Sequence, residues 1–301
     1  MFAQRHPFIF SFLVVVVVII CFFAAALFFL GRSDSAFEFG DKVGVVEVKG
    51  VITDAKSVVK HLKEFRKDES VKAIVLRIDS PGGGVAPSQE IYNEVAKTAL
   101  VKKVVASMGS VAASGGYYIA AGADHIMANP GTITGSIGVI MEFVSVEDII
   151  KKIGLAAEII KSGPYKDIGS PLRKMAPEER ILLQEFIDNV HRQFVDAVAS
   201  ERDIPMEKIE SIADGRIFSG EQAKKLGLID SLGGLEDAIA MAGKLGGIKG
   251  EPVVSYPKKK RFSLLEYLLG QSVEDLVDTI SGDTFQKFGY LYRPLGYSFH
   301  G

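Results

Sequence analysis

From Lys42 onward, short apolar segments alternate with longer amphipathic ones, and this alternation limits the possible folds more than any other feature. Val43–Val48 and Ala73–Ile78 are typical of buried strands, whereas Lys56–Lys67 carries apolar residues at helical spacing. Strands that alternate with helices are joined by crossover connections, which align them in parallel. We therefore predict an α/β domain with a mainly parallel sheet over residues 42–249.

The same patterns predict the other elements of this domain. The predicted strands are Val104–Met108, His125–Ala128, Val139–Val144 and Ala157–Lys161. The predicted helices are Gln89–Leu100, Ser114–Ala121, Val146–Ile153, Pro177–Arg202, Met206–Ala213, Gly220–Leu226 and Leu235–Leu245. In the longest of them, proline and two glutamates stand in the first turn, where helices favour them.

Before the domain, Phe8–Leu30 contains no charged residue. A helix of this length covers roughly 34 Å, enough to cross the hydrocarbon core of a bilayer. A cleaved signal peptide is the alternative, with Ala24–Ala26 as the cleavage site, but the apolar part of signal peptides is usually about 7–15 residues long. We predict a cytoplasmic tail and transmembrane anchor over residues 1–30 and a polar linker over residues 31–41.

Composition argues against several classes of function. Lysine and arginine number 35 and aspartate and glutamate 37, so the chain lacks the basic excess typical of nucleic-acid binding. The single cysteine, Cys21, excludes an intramolecular disulfide and a cysteine-based metal site. The five histidines show no metal-binding spacing. We therefore predict no nucleic-acid partner, no metal and no cofactor.

Three loops rich in glycine and serine each follow a predicted strand: Asp79–Gly84, Met108–Tyr118 and Asn129–Gly138. Because the carboxyl ends of parallel strands meet at one edge of a sheet, we expect these loops to form a site there. The first loop can direct glycine amides, including that of Gly83, toward an anion. A tight turn between a strand and a helix would explain the same glycines.

Ser114 in the second loop is the candidate nucleophile. Its small neighbours, among them Ala113 and Gly115, allow a substrate to approach the hydroxyl closely. The start of the predicted helix adds a positive partial charge that would stabilise an oxyanion. Ser114 could instead be only a helix cap, and Ser110 is a rival nucleophile without the following pair of glycines.

A serine nucleophile needs a base, and none of the five histidines lies in these loops. His125 falls in a predicted strand, where a core or surface role is expected. Lys166, in the loop Lys161–Asp167, is the remaining candidate. Lysine side chains are almost fully protonated at neutral pH, so a lysine base needs a dry pocket that favours the neutral amine. Without such a pocket, a loop lysine is only a solvated charge.

Four segments, in this order, resemble the motifs of the S49 serine peptidases, the signal peptide peptidase A family. They are Ser80–Gly83, Met108–Tyr118, Thr134–Gly138 and Lys161–Asp167. The similarity covers about residues 40–245 and matches the short form of the family, in which one chain carries both dyad residues. The resemblance implies a crotonase/Clp-protease-like α/β fold and a Ser–Lys dyad.

The resemblance also implies a role for each site residue. Ser114 would be the nucleophile, Lys166 the general base and Ser136 the group that orients the lysine. The amides of Gly83 and Gly115 would form the oxyanion hole.

The expected protein is a single-pass homo-oligomer of the bacterial inner membrane, with its catalytic domain on the extracytoplasmic side. It would degrade remnant signal peptides and other extended apolar peptides. Residues 250–301 match the family less distinctly. Their basic run, Pro257–Arg261, is typical of a turn before a helix that packs on its own or a neighbouring subunit, or of contact with an anionic membrane surface.

Two other functions are compatible with these residues. A crotonase-like acyl-CoA enzyme would share the oxyanion loop but would need an acidic base and an adenine pocket. A non-catalytic membrane scaffold would have no need of Ser114, Lys166 and the glycine loops.

Overall fold

The computed structural model describes residues 7–30, 40–257 and 288–291, and the chain divides into two units, Met1–Gly40 and Asp41–Gly301. In the first unit, helix α1 spans Pro7–Leu30 and contains the predicted apolar run. Among the residues described here, no helix meets both the length and the hydropathy that a bilayer crossing requires. The transmembrane anchor therefore stays a prediction.

The second unit contains the α/β elements. Its described strands are β1 Lys42–Lys49, β2 Val71–Ser80, β3 Gly82–Gly84, β4 Lys103–Ala113, β5 His125–Ala128, β6 Ile133–Gly135, β7 Ile140–Met141, β8 Ile217–Ser219, β9 Ser231–Leu232, β10 Val253–Ser255 and β11 Phe288–Leu291. Its described helices are α2 Lys56–Lys67, α3 Val85–Ala99, α4 Gly115–Ala121, α5 Glu147–Lys152, α6 Pro177–Arg202, α7 Met206–Glu210, α8 Gly220–Leu226 and α9 Leu235–Leu245.

The main sheet has the strand order β10-β1-β2-β4-β5-β9, and every pair along this path is parallel. This confirms the predicted mainly parallel α/β fold. Strand β6 extends the sheet beside the second half of β4, in parallel, and β8 joins β6 in the antiparallel direction. A separate three-stranded sheet has the order β3-β11-β7.

Both faces of the main sheet are buried. Successive side chains of a strand point to opposite faces, so neighbouring residues pack in different clusters. Val46 belongs to the larger apolar cluster, with side chains from α2, α3, α4 and α6, whereas its neighbour Val45 packs in a smaller cluster with α9. Helix α2 shows why this sequence is a helix: it buries Val58, Leu62 and Phe65, four and three residues apart, on one face. Truncating the fully buried Leu62 to alanine would cost about 2–5 kcal/mol of stability.

Several predicted boundaries were wrong. Strand β4 runs on to Ala113, whereas the prediction ended it at Met108, because its second half pairs with β6. The predicted strand Ala157–Lys161 does not form; these residues are exposed and no strand pairs with them. The predicted strand Val139–Val144 shortens to Ile140–Met141. Helix α3 begins directly after Gly84, four residues before the predicted start.

The tail predicted over residues 250–301 is described only at residues 250–257 and 288–291. Lys258–Arg261, which make up most of the basic run, lie outside the described residues, so its predicted role stays a prediction. The described parts are two strands, with β10 at the edge of the main sheet and β11 between β3 and β7.

Candidate active site

Ser114 occupies a sharp turn between β4 and α4. Its backbone has φ +54° and ψ −119°, a conformation that residues with a side chain rarely adopt and that costs of order 1–3 kcal/mol. The residue is only 1% exposed. Strained turns of this kind persist where the surrounding structure holds them, and they concentrate at functional sites. The turn therefore marks Ser114 as a functional candidate.

The backbone of Ser114 is held from both sides, while its hydroxyl is left unpaired. The Ser114 amide donates to the Gly135 carbonyl at 2.8 Å, and the Tyr118 amide donates to the Ser114 carbonyl at 2.8 Å. Within the described chain, the buried Ser114 Oγ has no hydrogen-bond partner, and it does not cap α4. The interpretation of Ser114 as a mere helix cap was therefore wrong. A buried hydroxyl without a partner is costly, so its retention points to an external partner.

Ser136 directly follows β6, the strand that pairs with the end of β4 just before Ser114. Ala113 and Gly135 are paired across β4 and β6, so the serines that follow them leave the sheet at the same level. Ser136 also has a positive φ, +50°, and is 8% exposed. Its amide donates to the Arg216 carbonyl at 2.8 Å, which fixes the turn. The structure thus brings together two of the predicted site residues.

Gly83 is held by Ile52, which lies three residues after the end of β1 and forms an isolated bridge with Gly83. The Ile52 amide donates to the Gly82 carbonyl at 2.9 Å, and the Gly84 amide donates to the Ile52 carbonyl at 2.7 Å. Because backbone groups alternate along a strand, the Gly83 amide faces the opposite edge, away from Ile52. A Cβ on Gly83 would lie 2.2 Å from the Ile52 carbonyl oxygen, so only glycine fits.

Gly115 is the first residue of α4, so its amide has no partner within the helix and is available to a ligand. The start of this helix is packed tightly against the end of β2. A Cβ on Gly116 would lie 2.8 Å from the Ser80 carbonyl oxygen. Helix α4 also lies close to β3. The predicted oxyanion donors, Gly83 and Gly115, therefore belong to elements in contact with each other.

Asp79 is a site residue that the sequence analysis did not single out. Its carboxylate accepts a hydrogen bond from the Val111 amide at 3.1 Å, where the register between β2 and β4 shifts. A Cβ on Gly109 would lie 2.8 Å from Asp79 Cγ, so the two strands approach closely here. The signal available in the sequence was an acidic residue at the end of a buried strand. Asp79 therefore fixes β4 three residues before Ser114.

Lys166 lies in a loop of consecutive turns and is exposed. Its amide donates to the Gly163 carbonyl at 3.2 Å. Within the described residues, no hydrogen bond joins its ammonium group to Ser114 or Ser136. The structure of the single chain therefore does not bring the predicted base into contact with the predicted nucleophile.

A network of charges anchors the Lys166 loop at the adjacent residue. Lys161 Nζ donates to Asp167 Oδ1 at 2.6 Å, and Arg173 Nε donates to Asp167 Oδ2 at 2.7 Å. Arg173 Nη2 also binds Glu179 Oε1 at 2.5 Å. Hydrogen bonds from Arg173 and then Lys161 hold the pKa of Asp167 well below its usual range. Arg173 likewise lowers the pKa of Glu179 to about 2, helped by the Ala176 amide. The network is therefore fully charged at neutral pH.

His125 is placed far from the predicted nucleophile. It pairs with Val105 in the parallel register of β4 and β5, nine residues before Ser114. At about 3.3 Å per residue this separation is roughly 30 Å along the strand. Its Nε2 lies 2.8 Å from Ser231 Oγ. A structural role therefore fits this histidine. In the described part of the chain, no group of three or more His, Cys, Asp and Glu side chains could hold a metal ion.

Comparison with known proteins agrees with this geometry. The family model "Peptidase family S49" matches residues 96–249, and the model "Clp protease" matches residues 42–133. A putative protease of Synechocystis sp. is 49% identical over 214 residues, covering 70% of this chain and 77% of the relative. A putative signal peptide peptidase SppA of Enterococcus faecium is 34% identical over 283 residues, covering 86% of this chain and 81% of the relative. Protease 4 of Salmonella typhi is 38% identical over 220 residues, covering 70% of this chain and 35% of the relative.

The fold, the buried serine and these matches define a serine peptidase. The chain belongs to peptidase family S49, as a short-form member of its SppA group. This membership decides against the acyl-CoA enzyme and the non-catalytic scaffold.

Proposed function

We propose that this protein is a membrane-anchored endopeptidase with a Ser114–Lys166 dyad, which degrades remnant signal peptides and other extended apolar peptides. The observation that carries the proposal is the buried Ser114 hydroxyl without a partner, in a strained turn directly before the Gly115 amide at the start of α4. A nucleophile needs this placement, because its oxygen must meet the substrate carbonyl where donors can receive the oxyanion.

Each group has one role in the proposed mechanism. Neutral Lys166 takes the Ser114 proton as Oγ attacks the peptide carbonyl, and the amides of Gly83 and Gly115 stabilise the oxyanion. The protonated lysine then donates its proton to the leaving amine. Water activated by the same lysine hydrolyses the acyl ester. Ser136 accepts a hydrogen bond from the lysine and orients it toward Ser114.

For this mechanism the Lys166 loop has to be enclosed. The segment around it exposes many apolar side chains, of which Ile160 is 97% exposed; the others include Phe143, Val144, Ile149, Ile153 and Leu155. Exposed apolar clusters are typical of surfaces that pack against another protein. We therefore propose a homo-oligomer in which this segment packs on a second copy and dries the pocket around Lys166.

The proposed substrate class follows from location and cleft shape. The uncharged run Phe8–Leu30 in the sequence supports an anchor in the bacterial inner membrane, with the peptidase unit on the extracytoplasmic side. An enzyme held there meets the apolar peptides left after signal-peptide removal. Strand β3 suits an extended peptide, because the backbone groups of a strand can pair with another extended chain.

The proposal is tested with full-length protein in detergent and a fluorophosphonate that reacts with activated serines. The modified residue is identified by peptide mapping, and cleavage of apolar peptides is measured in parallel. Ser114→Ala is expected to abolish both, whereas Ser110→Ala, the rival in the same loop, keeps both. Lys166→Ala is expected to remove cleavage and slow labelling strongly. Labelling of another serine, or full activity of Lys166→Ala, would refute the dyad.

A further inference from the structure

The amino ends of four neighbouring strands form one edge of the main sheet, which we call the amino edge. Lys42 of β1 pairs in parallel with Val71 of β2 and with Val253 of β10. Lys103, the first residue of β4, pairs in parallel with Ala73 of β2. Because Ser114 follows the carboxyl end of β4, the amino edge lies at the opposite end of the strands from the candidate active site.

Three large apolar side chains are exposed at the amino edge. Leu100 is 87% exposed and Val101 is 66% exposed, in the turn between α3 and β4. Leu245, the last residue of α9, is 41% exposed. Its helix ends against β2, since a Cβ on Gly246 would lie 3.0 Å from Ala73 Cβ. Apolar side chains gathered at one edge suit contact with an apolar layer or with another protein.

The turn that contains Leu100 is held firmly in place. Lys102 Nζ donates to the Phe65 carbonyl at 2.7 Å and to the Asp68 carbonyl at 2.5 Å, which ties the turn to the end of α2. The Lys102 amide donates to the Thr98 carbonyl at 2.9 Å. The exposure of Leu100 is therefore a fixed feature of the fold.

Lysines surround these apolar side chains. The amino edge consists of four segments, residues 41–42, 67–72, 97–103 and 244–251. They contain eight lysines and four acidic residues, although the whole chain has a net charge of −2. Lys72 pairs with Asp41 at 3.4 Å, and Lys103 pairs with Asp124 at 2.5 Å, which leaves a basic excess. Lysines bind anionic lipid headgroups, and apolar side chains enter the layer beneath them, so the amino edge presents both kinds of group that a bilayer surface binds.

We propose that the amino edge docks on an anionic phospholipid bilayer, with Leu100, Val101 and Leu245 in the interfacial layer and the lysines on lipid phosphates. The inference rests on the proposed function, which places a membrane anchor before the domain. The chain enters the domain at this edge, at Lys42, and a linker over residues 31–41 spans at most about 40 Å when fully extended. The anchor and the amino edge would therefore meet the same bilayer.

Docking at the amino edge would set the height of the active site above the lipid. Strand β2 has 10 residues, which at about 3.3 Å per residue extend over roughly 30 Å. Ser114 lies beyond the carboxyl end of the neighbouring strand β4. An apolar peptide would then have to leave the bilayer before it is cleaved.

The test uses full-length protein in vesicles and a fluorophore whose emission shifts to the blue in apolar surroundings. Cys21→Ser removes the single native thiol, and Leu100→Cys then takes the label. We expect a blue shift, and quenching by lipids with brominated acyl chains, in vesicles of phosphatidylcholine with phosphatidylglycerol. Both should be much smaller in pure phosphatidylcholine. Thr53→Cys, exposed beyond the carboxyl end of β1, is the labelled control and should respond to neither lipid.

A second set of variants tests the charges. Lys97→Gln with Lys249→Gln should reduce the quenching of the Leu100 label several-fold, whereas Lys208→Gln with Lys225→Gln, the same change of charge elsewhere, should not. Added salt should also weaken the quenching, because the screening length falls from about 10 Å at 0.1 M to about 3 Å at 1 M. A label at Leu245→Cys should behave like the label in the turn.

The outcomes separate this inference from the proposed function. If neither label is quenched by lipid in vesicles where Ser114 still reacts with the fluorophosphonate, the inference is wrong and the proposed function stands. A blue shift without lipid quenching would indicate contact with a second copy and would also overturn it. Equal quenching in both lipids would exclude the role of the lysines. Protein that does not enter the vesicles would refute the proposed membrane anchor, and the inference with it.

Discussion

The Ser114 amide donates a hydrogen bond to the Gly135 carbonyl at 2.8 Å, which ties the candidate nucleophile to the strand that carries Ser136. The bond exists because β4 continues to Ala113 and pairs there with β6. Both serines then turn out of the sheet with positive φ. The relative position of the two serine backbones is therefore fixed by backbone pairing, and a backbone change at Gly135 should disturb both.

Gly135→Ala is the first prediction. Gly135 has φ +78°, and a Cβ there would lie 2.6 Å from the Phe218 ring. We expect a loss of about 1–3 kcal/mol in the free energy of unfolding, together with slower labelling of Ser114. Chemical denaturation and fluorophosphonate kinetics measure the two effects. Gly131→Ala is the control in the same loop, because a Cβ there meets nothing within 4 Å. Similar effects of the two substitutions would contradict the argument.

Gly83→Ala tests the oxyanion donor. The new Cβ would be forced to within 2.2 Å of the Ile52 carbonyl, so β3 must shift and the Gly83 amide with it. Loss of one oxyanion donor typically lowers kcat by about 10²–10³, and we expect a decrease of this size in peptide cleavage. Gly84→Ala is the matched control, because its Cβ would meet the Pro87 ring at 3.1 Å and the Ile52 carbonyl oxygen only at 3.6 Å, an ordinary contact distance. A Gly83→Ala enzyme with wild-type kcat would exclude this glycine from the oxyanion hole.

Arg173→Ala tests the anchor of the Lys166 loop. The substitution removes the shared partner of Asp167 and the buried Glu179, so the loop loses its fixed position. We expect kcat/KM to fall about tenfold or more, because small displacements of a catalytic group are costly. Arg173→Lys should recover the activity only partly, since lysine cannot bridge both carboxylates. Lys174→Ala, at the exposed neighbour, should be neutral.

The same network predicts how stability depends on pH. Glu179 has a pKa of about 2 in the folded protein, below the value near 4.3 of an unperturbed glutamate. Its ionised form therefore adds stability that is complete above about pH 4.3 and is lost as the pH falls toward 2. Urea unfolding of the wild type at several pH values should show this decline. In Arg173→Ala the decline should be smaller, and an identical pH dependence would count against the network.

Ile160 tests the proposed oligomer. Its side chain is almost fully exposed in the single chain, so Ile160→Asp should leave the stability of one chain unchanged. We expect a smaller particle mass in sedimentation, and slower Ser114 labelling because the Lys166 pocket is no longer dry. Leu100→Asp, at another exposed apolar residue, serves as the control. An unchanged mass and labelling rate for Ile160→Asp would remove this surface from the assembly.

The sequence predicted the long elements well and the short ones poorly. Helix α6 begins at Pro177 and ends at Arg202 as predicted, because periodicity and the acidic first turn are local signals. Strands β3 and β6 have three residues each, too few for a period. They form only because other segments offer partners: β11 and Ile52 for β3, and β4 and β8 for β6. Apolar residues at Ala157–Lys161 suggested a strand, but an apolar segment without a partner strand stays irregular.

The candidate site was predictable in part for similar reasons. Ser114 and Gly83 were predicted as site residues from their glycine-rich surroundings and from resemblance to known motifs, and their roles stay predictions. The contribution of Asp79 was missed because it depends on a register shift between β2 and β4. The pairing of β11 with β3 could not be foreseen, since about 200 residues separate these strands in the sequence. Nothing in local composition signals a partner so remote along the chain.

The depth of the Ser114 hydroxyl has a consequence for what the enzyme can attack. At 1% exposure, the oxygen is beyond the reach of a carbonyl that belongs to a compact domain. Only a slender, unstructured stretch of polypeptide can enter far enough to react. The enzyme would then distinguish its targets by whether they are folded. Folded neighbouring proteins would not be cleaved, whereas unfolded fragments would be.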